Sequence, residues 1–136
     1  MKKVILALFV LIISTGTLIA QTQIPHHVMD AFKQTHPFAN YATWTTEGVN
    51  FKVSYFDDSK MQNFKVYDSN DQVISHTYEV IGNVIPAEIT AHYQKMNAID
   101  GSYKVWIVVD KNGNKSYSAD YNNVITNFDK SGSIQK

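Results

Sequence analysis

The sequence predicts an α+β fold of two tandem helix-plus-antiparallel-sheet repeats that lie side by side, with one helix covering one face of each sheet. Three observations lead to this prediction: signals recur about sixty residues apart, each copy opens with a helical pattern, and strand-like alternation follows. Parallel strands would need a crossover between them, so a helix followed by consecutive hairpins indicates antiparallel sheet.

The repeat is visible as short signals that occur once in each half of the chain. The matches are Ile24-Pro25 with Ile85-Pro86, Val28 with Ile89, Phe32 with Tyr93, Trp44 with Trp106, and Tyr67-Asp68 with Phe128-Asp129. Their separation is 61 residues except for the tryptophans, which are 62 apart, as a one-residue insertion in a loop would produce. We predict a first α+β repeat over residues 21–82 and a second over 83–136, forming one compact unit.

Each repeat begins with an amphipathic helix. Pro25 and Pro86 suit a first helical position, because proline presets φ and lacks only an N–H that the first turn leaves unpaired. Apolar residues then recur three or four positions apart. They are Val28 and Phe32 in the first copy, and Ile89, Tyr93 and Met96 in the second. The first helix should end near Thr35, since Pro37 disfavours helical geometry before it, and the second near Asn97.

The rest of each repeat alternates between apolar and polar residues, which is typical of strands with one buried face. The predicted strands cover residues 51–55, 64–66, 103–109, 115–121 and 124–128. Turn residues separate them, and Asn112-Gly113 is the strongest short hairpin signal. The aspartates in these turns are expected to cap local backbone N–H groups and not to take part in catalysis.

Several short motifs carry a family resemblance. They are Ile24-Pro25 opening a helix, His36-Pro37-Phe38-Ala39 at its exit, Trp44 on the first strand, and Tyr67-Asp68 with Val73-Ile74 after a turn. In these residues the chain resembles the PepSY-like family of exported bacterial proteins, whose fold is similar to that of the β-lactamase inhibitory protein (BLIP). The resemblance implies two tandem helix-plus-sheet units with a concave sheet face able to receive a partner, and it brings no catalytic residues.

The first twenty residues are typical of a secretory signal peptide. Lys2 and Lys3 form a basic start, an apolar run covers residues 4–13, and Ala20 supplies a small residue at the end. Ten apolar residues are about half of what a membrane-spanning helix needs, which disfavours the alternative of an uncleaved anchor. We expect residues 1–20 to be removed, the protein to be periplasmic or secreted, and no stable membrane insertion after cleavage.

The composition disfavours several kinds of chemistry. All twelve basic residues are lysine and are balanced by twelve acidic residues, so no basic patch indicates nucleic acid and no arginine is present to clamp an oxyanion. The absence of cysteine excludes disulfides and thiolate catalysis. The five histidines lack metal-ligand spacing, and the glycines are too scattered for a phosphate-binding loop. We expect no metal and no other cofactor.

Aromatic residues on the strands supply the remaining functional signal, because Tyr and Trp dominate binding hot spots. Successive strand residues point to opposite faces. If Phe64 and Val66 face the helix, the residues between and beside them face away. The predicted partner-binding residues are Trp44, Asn63, Lys65, Tyr67, Trp106 and Tyr117. No residue is predicted to be catalytic.

These observations favour an exported, non-enzymatic binding or inhibitor-like module that contacts a protein or peptide through an open sheet face. The alternative is a small extracytoplasmic hydrolase or ligand-binding enzyme with carboxylates and His76 in a cleft between the repeats. An envelope-assembly role through an exposed edge strand is a third possibility. We expect a monomer, and the sequence does not identify the partner.

Overall fold

Two helices and seven strands make up the part of the chain that the computed structural model describes, residues 23–136. The predicted signal peptide therefore lies outside the described residues. The elements are α1 (His26–Thr35), β1 (Asn40–Glu47), β2 (Asn50–Phe56), β3 (Gln62–Tyr67), β4 (Val73–Val80), a 3₁₀ turn (Gly82–Val84), α2 (Ala87–Lys95), β5 (Lys104–Asp110), β6 (Lys115–Tyr121) and β7 (Val124–Phe128).

The seven strands form one antiparallel sheet in which each strand pairs with the next along the chain. The α+β class is thus confirmed, but the expectation of a separate sheet for each helix is wrong. β4 pairs with β5 along residues 75–80 and 105–110, across the whole α2 connection. This long-range pairing joins the strands of both halves into a continuous sheet.

Both helices pack on the same face of the sheet. Val28 and Phe32 of α1 are buried against a cluster that includes Val53 of β2. Ile89 and Tyr93 of α2 are buried at the other end of the sheet, in a core supplied by β4 to β7. The residues of these two clusters share one side of the pairing register. We call this side the helix face.

The helices begin and end close to the predicted residues. Pro25 and Pro86 are N-cap residues with extended backbone, one position before the first helical residue and not within the helix as predicted. Thr35 ends α1 as expected, and α2 ends at Lys95. The first buried residue of each helix, Val28 or Ile89, comes three positions after the proline. Each helix therefore packs on the sheet from its first turn.

Four loops share one local structure, in which an aspartate at the first position accepts backbone N–H groups from residues two and four positions later. The aspartates are Asp57, Asp68, Asp110 and Asp129. The fourth residue of each loop has a left-handed backbone, at Lys60, Asp71, Gly113 and Gly132. The predicted capping role of these four aspartates is confirmed.

The tandem repeat itself remains a prediction. The matched residues Val28 and Ile89 are both fully buried, and so are Tyr67 and Phe128. However, four strands follow α1 and three follow α2. The tryptophans lie on the first strand after each helix but on opposite faces of the sheet, because Trp44 pairs beside the buried Val53 while Trp106 is displaced by one residue from the buried Ile107.

Candidate functional site

The sheet side opposite to the helices, which we call the open face, is covered by no helix of residues 23–136. The pairing register assigns it Thr43, Thr45 and Glu47 of β1, Lys52 and Ser54 of β2, Phe64 and Val66 of β3, Ser75, Thr77 and Glu79 of β4, Lys104, Trp106 and Val108 of β5, Ser116, Ser118 and Asp120 of β6, and Ile125 and Asn127 of β7. Seven of these eighteen side chains are short serines or threonines, which would let a partner approach the sheet closely.

A shallow depression of about 360 Å³ lies on this face. Its lining consists of Glu47, Lys52, Phe64, Val66, Ser75, Thr77, Trp106, Ser118 and Ile125. The Lys52 Nζ lies 5.1 Å from the centre of the Phe64 ring and 3.8 Å from a Glu47 carboxylate oxygen. An apolar floor with a charged rim is the arrangement that protein-binding surfaces favour.

Trp106 is the largest side chain of the depression and lies opposite Glu79 on one side and Ser118 on the other. Its indole Nε1 is buried, and no acceptor within residues 23–136 receives its hydrogen. A buried donor without an acceptor costs about 1–3 kcal/mol. The ring is only partly buried, so it keeps an apolar surface available in the depression.

The predicted orientation of β3 is wrong. Asn63, Lys65 and Tyr67 pair beside the residues of β2 that contact α1, so they lie on the helix face, and Asn63 and Tyr67 are buried there. Phe64 and Val66 lie on the open face instead. The prediction assumed that Phe64 and Val66 form the one apolar side of β3 and face the helix. The strand also carries the apolar ring of Tyr67 on its other side, and that side faces the helix.

Trp44 and Tyr117 are also on the helix face. The Trp44 ring packs edge-on against Phe32 of α1, with centroids 5.6 Å apart, and contacts Tyr67 at 6.0 Å. Tyr117 packs against the α2 core and pairs with the buried Ile107. Trp106 is therefore the one member of the predicted set that the structure places on the open face.

The open-face residues that the sequence prediction missed are mainly Phe64, Val66, Thr77, Ser118 and Ile125. Once a single strand is oriented correctly, the hairpins propagate the orientation to its neighbours, because paired residues share a face. The buried apolar alternation of Phe51, Val53 and Tyr55 was the signal that could have provided this orientation. It identifies the helix face of β2 and hence, through the hairpin, that of β3.

A second group of polar residues lies on the helix face between the two cores. We call Asn63, Lys65 and His76, together with His36 at the end of α1, the polar strip. Lys65 and His76 are directly paired on β3 and β4. Neither belongs to the α1 core or the α2 core.

Hydrogen bonds place a hydrogen on one defined nitrogen of each imidazole in the polar strip. Asn63 Nδ2 donates to Met61 O at 3.0 Å and to an Asp57 carboxylate oxygen at 3.1 Å. Its Oδ1 is therefore left to accept, at 3.0 Å, the hydrogen of His76 Nε2.

At the other end of the strip, Lys65 Nζ donates to His36 Nε2 at 3.0 Å. The hydrogen of the neutral His36 ring must then be on Nδ1, which donates to Thr35 Oγ1 at 2.7 Å. The His36 ring is thereby held neutral with its hydrogen on Nδ1, whereas the Asn63 contact requires a hydrogen on His76 Nε2 and leaves Nδ1 of that ring free.

The electrostatics of the strip agree with these tautomers. Burial, the Lys65 charge and then His36 lower the pKa of His76 to about 4. Burial and the Lys65 charge also lower the pKa of His36, and burial lowers that of Lys65. Burial raises the pKa of the neighbouring Tyr55 to about 12, with Tyr67 and Asp57 contributing. The strip is thus poised to carry a single positive charge on Lys65 at neutral pH.

The hydrolase alternative requires His76 in a cleft between the repeats, and the His76 ring contacts Asn63 and Tyr78 on the helix face. A cavity of about 350 Å³ does lie where the halves meet, next to the start of α2, and its charged lining is Glu79, Asp100 and Lys104. Across residues 23–136, His, Asp and Glu side chains form no group of three or more that could hold a metal ion. Nor does either described helix have the length and apolar character to cross a membrane.

Solved structures share this fold, although no protein-family model matches the chain and no curated protein matches its sequence. A DUF2874 family protein from Bacteroides uniformis is 15% identical, with a TM-score of 0.61 over 84% of this chain and 88% of that one. A Bacteroides eggerthii protein, provisionally described as periplasmic, is 13% identical, with a TM-score of 0.66 over 84% and 87%. A BLIP-like protein from Bacteroides fragilis is 20% identical, with a TM-score of 0.55 over 85% and 86%. These likenesses show a BLIP-like fold.

Proposed function

We propose that this protein is an exported, non-enzymatic binding module that contacts a protein or peptide partner through the open face. The observation that carries the proposal is the placement of both helices on one side of a single sheet, which leaves the other side uncovered within the described residues. Trp106 and its surrounding depression are the proposed centre of contact. Aromatic side chains in such depressions commonly supply most of the binding energy.

Three further points support the proposal. The open face combines an apolar centre with the Glu47–Lys52 and Glu79–Lys104 ion pairs, which can exchange partners with charges on a bound protein. The resemblance to PepSY-like proteins suggests a shared ancestry with exported proteins. Export is also consistent with the signal-peptide pattern of residues 1–20 and with the provisional periplasmic description of one structural neighbour.

The experiment is affinity capture with the mature protein immobilised, using a native periplasmic extract and a culture supernatant. Trp106→Ala should lower the amount of each specifically captured partner about tenfold or more, the range expected for loss of a hot-spot tryptophan. The matched control is Trp44→Ala, which removes the same side chain from the helix face and should lower the melting temperature through lost contacts with Phe32. We expect it to retain capture at temperatures where it is folded.

The comparison of the two tryptophan variants decides the proposal. Equal capture by wild type and a folded Trp106→Ala variant, or loss of capture by Trp44→Ala alone, would place the contact away from the open face. A Lys52→Glu variant tests the rim independently, because Lys52 lies beside both Glu47 and the Phe64 ring. It should change capture, and the change should diminish as the salt concentration rises; unchanged capture at low salt would place the contact away from this rim.

A further inference from the structure

Lys65 is a half-buried cation without a counter-ion in the described part of the chain. Its Nζ donates one hydrogen bond, to His36 Nε2 at 3.0 Å, and forms no ion pair with a carboxylate of residues 23–136. An ammonium has three donors, so two remain without a protein acceptor among these residues. Partial burial of an unpaired charge is unfavourable, and proteins normally pair such groups.

The carboxylate that contacts the polar strip, that of Asp57 through Asn63, is already committed elsewhere. One oxygen of Asp57 accepts the backbone N–H groups of Ser59 and Met61, and the other accepts Asn63 Nδ2. Asp57 therefore holds the β2–β3 loop and does not neutralise Lys65. His36 accepts the Lys65 hydrogen on Nε2 and is therefore neutral. His76, the direct cross-strand neighbour of Lys65, is neutral at pH 7 because its pKa is lowered to about 4. Tyr55, which packs against His36, has its pKa raised to about 12 and adds no charge.

We infer that the polar strip is a binding site for a small oxyanion, held by the two remaining Lys65 donors between His36 and His76. A carboxylate or a phosphate has oxygens that match these donors and a charge that compensates the ammonium. His76 has a further role, because its Nε2 hydrogen is committed to Asn63 and protonation of Nδ1 would add a donor beside Lys65. Binding of an anion that keeps its charge near pH 4, such as dihydrogen phosphate, should therefore tighten as the pH falls toward the pKa of His76.

This site is on the helix face and is independent of the proposed contact on the open face, so either proposal can fail without the other. The oxyanion is either a free solute or a carboxylate carried by a peptide. The probes are sodium phosphate, sodium acetate, and N-acetylglycine with its neutral amide, each titrated into the mature protein at constant ionic strength adjusted with sodium chloride. The observables are the imidazole carbon-bound proton shifts of His36 and His76 in NMR spectra.

At least one anion should produce saturable shifts of both imidazoles in the millimolar range and raise the apparent pKa of His76. Preference for N-acetylglycine over acetate and phosphate would indicate a peptide carboxylate, whereas preference for phosphate or acetate would indicate a free solute. The neutral amide should produce no saturable shift. Saturation by the amide, or shifts no larger than those with chloride alone, would overturn the site.

Substitution of Lys65 provides the decisive comparison. Lys65→Met should weaken anion binding about tenfold or more, because charge-assisted hydrogen bonds are lost. Lys104→Met is the matched control, since it removes a lysine on the open face, where it pairs with Glu79, and it should leave anion binding unchanged. If Lys65→Met does not fold, Lys65→Gln keeps donors without the charge and should show the same weakening. Unchanged binding in a folded Lys65 variant contradicts the inference.

Discussion

At the scale of single residues, the polar strip shows how a sheet can carry a lysine and a histidine on its core-facing side. Lys65 and His76 are directly paired on the central strands β3 and β4. Asn63 accepts a hydrogen bond from His76 and His36 accepts one from Lys65, while two Lys65 donors are left without a protein acceptor among residues 23–136. The cost of this arrangement is a dependence on the neutral state of the imidazoles.

Protonation of His76 should destabilise the protein in mild acid. Its pKa is lowered to about 4 in the folded protein, whereas an unfolded histidine titrates near 6.5, so the unfolded chain takes up the proton first. The neutral His76 ring contributes fully to the free energy of unfolding above pH 6.5. This contribution is lost as the pH falls from 6.5 to about 4. Because the side chain is only half-buried, we expect a loss of about 1–2 kcal/mol.

Urea unfolding at pH 7, 5.5 and 4 measures this loss. His76→Gln should flatten the pH dependence of the free energy of unfolding in this range, since glutamine can donate to Asn63 but cannot be protonated. Lys65→Met should flatten it less, because burial is a larger cause of the lowered pKa than the Lys65 charge. An unchanged pH dependence in His76→Gln would show that other groups are responsible.

At the scale of secondary-structure elements, the last loop of the chain stabilises the start of α2. Gly132 is buried and has a left-handed backbone with φ of 88°. A Cβ added there would lie 3.1 Å from the Cβ atoms of Pro86 and Glu88. Gly113 occupies the same position in its own loop, with φ of 81°, but a Cβ added there meets nothing within 4 Å.

Alanine substitutions at Gly113 and Gly132 therefore distinguish the cost of backbone strain from the cost of overpacking. Gly113→Ala should lower the free energy of unfolding by about 1 kcal/mol, through the left-handed backbone alone. Gly132→Ala should lower it by about 2–4 kcal/mol, because overpacking against α2 adds to the same strain. Chemical denaturation of both variants measures the difference, and equal losses would mean that the loop moves away from α2 at little cost.

Some of the secondary-structure elements could be predicted from the sequence and others could not. The helices were predictable because Pro25 and Pro86 mark their starts and the apolar spacing that follows is regular. The orientation of β3 was not, because Phe64, Val66 and Tyr67 make it apolar on both faces and alternation cannot choose between them. The candidate site inherited this error, so that Trp106 was the sole predicted residue on the open face.

At the scale of the whole molecule, the pairing of β4 with β5 could not be predicted from local patterns, because α2 separates these strands in the sequence. The pairing has a structural consequence beyond the continuous sheet. Val80 of β4 is buried in the α2 core, and Tyr78 packs against that core. The first half of the chain therefore supplies part of the core of the second, and α2 cannot complete its packing without β4.

We accordingly expect the two cores to unfold in a single transition although they form separate clusters. Trp44 contacts the α1 core and Trp106 lies on β5, so the single-tryptophan variants Trp106→Phe and Trp44→Phe report separately on the α1 end of the sheet and on β5. Their fluorescence midpoints in urea should coincide with each other, once corrected for any difference in stability measured by circular dichroism. Coincidence of independent probes is the standard evidence for two-state unfolding.

A core substitution extends this test. Ile89→Ala removes a fully buried side chain from the α2 core and should lower the free energy of unfolding by about 2–4 kcal/mol. Because β4 links the cores, the substitution should shift the Trp44 signal at the α1 end by as much as the Trp106 signal on β5. A Trp44 midpoint that stays in place while the Trp106 midpoint falls would mean that the halves unfold independently, each holding its own part of the sheet.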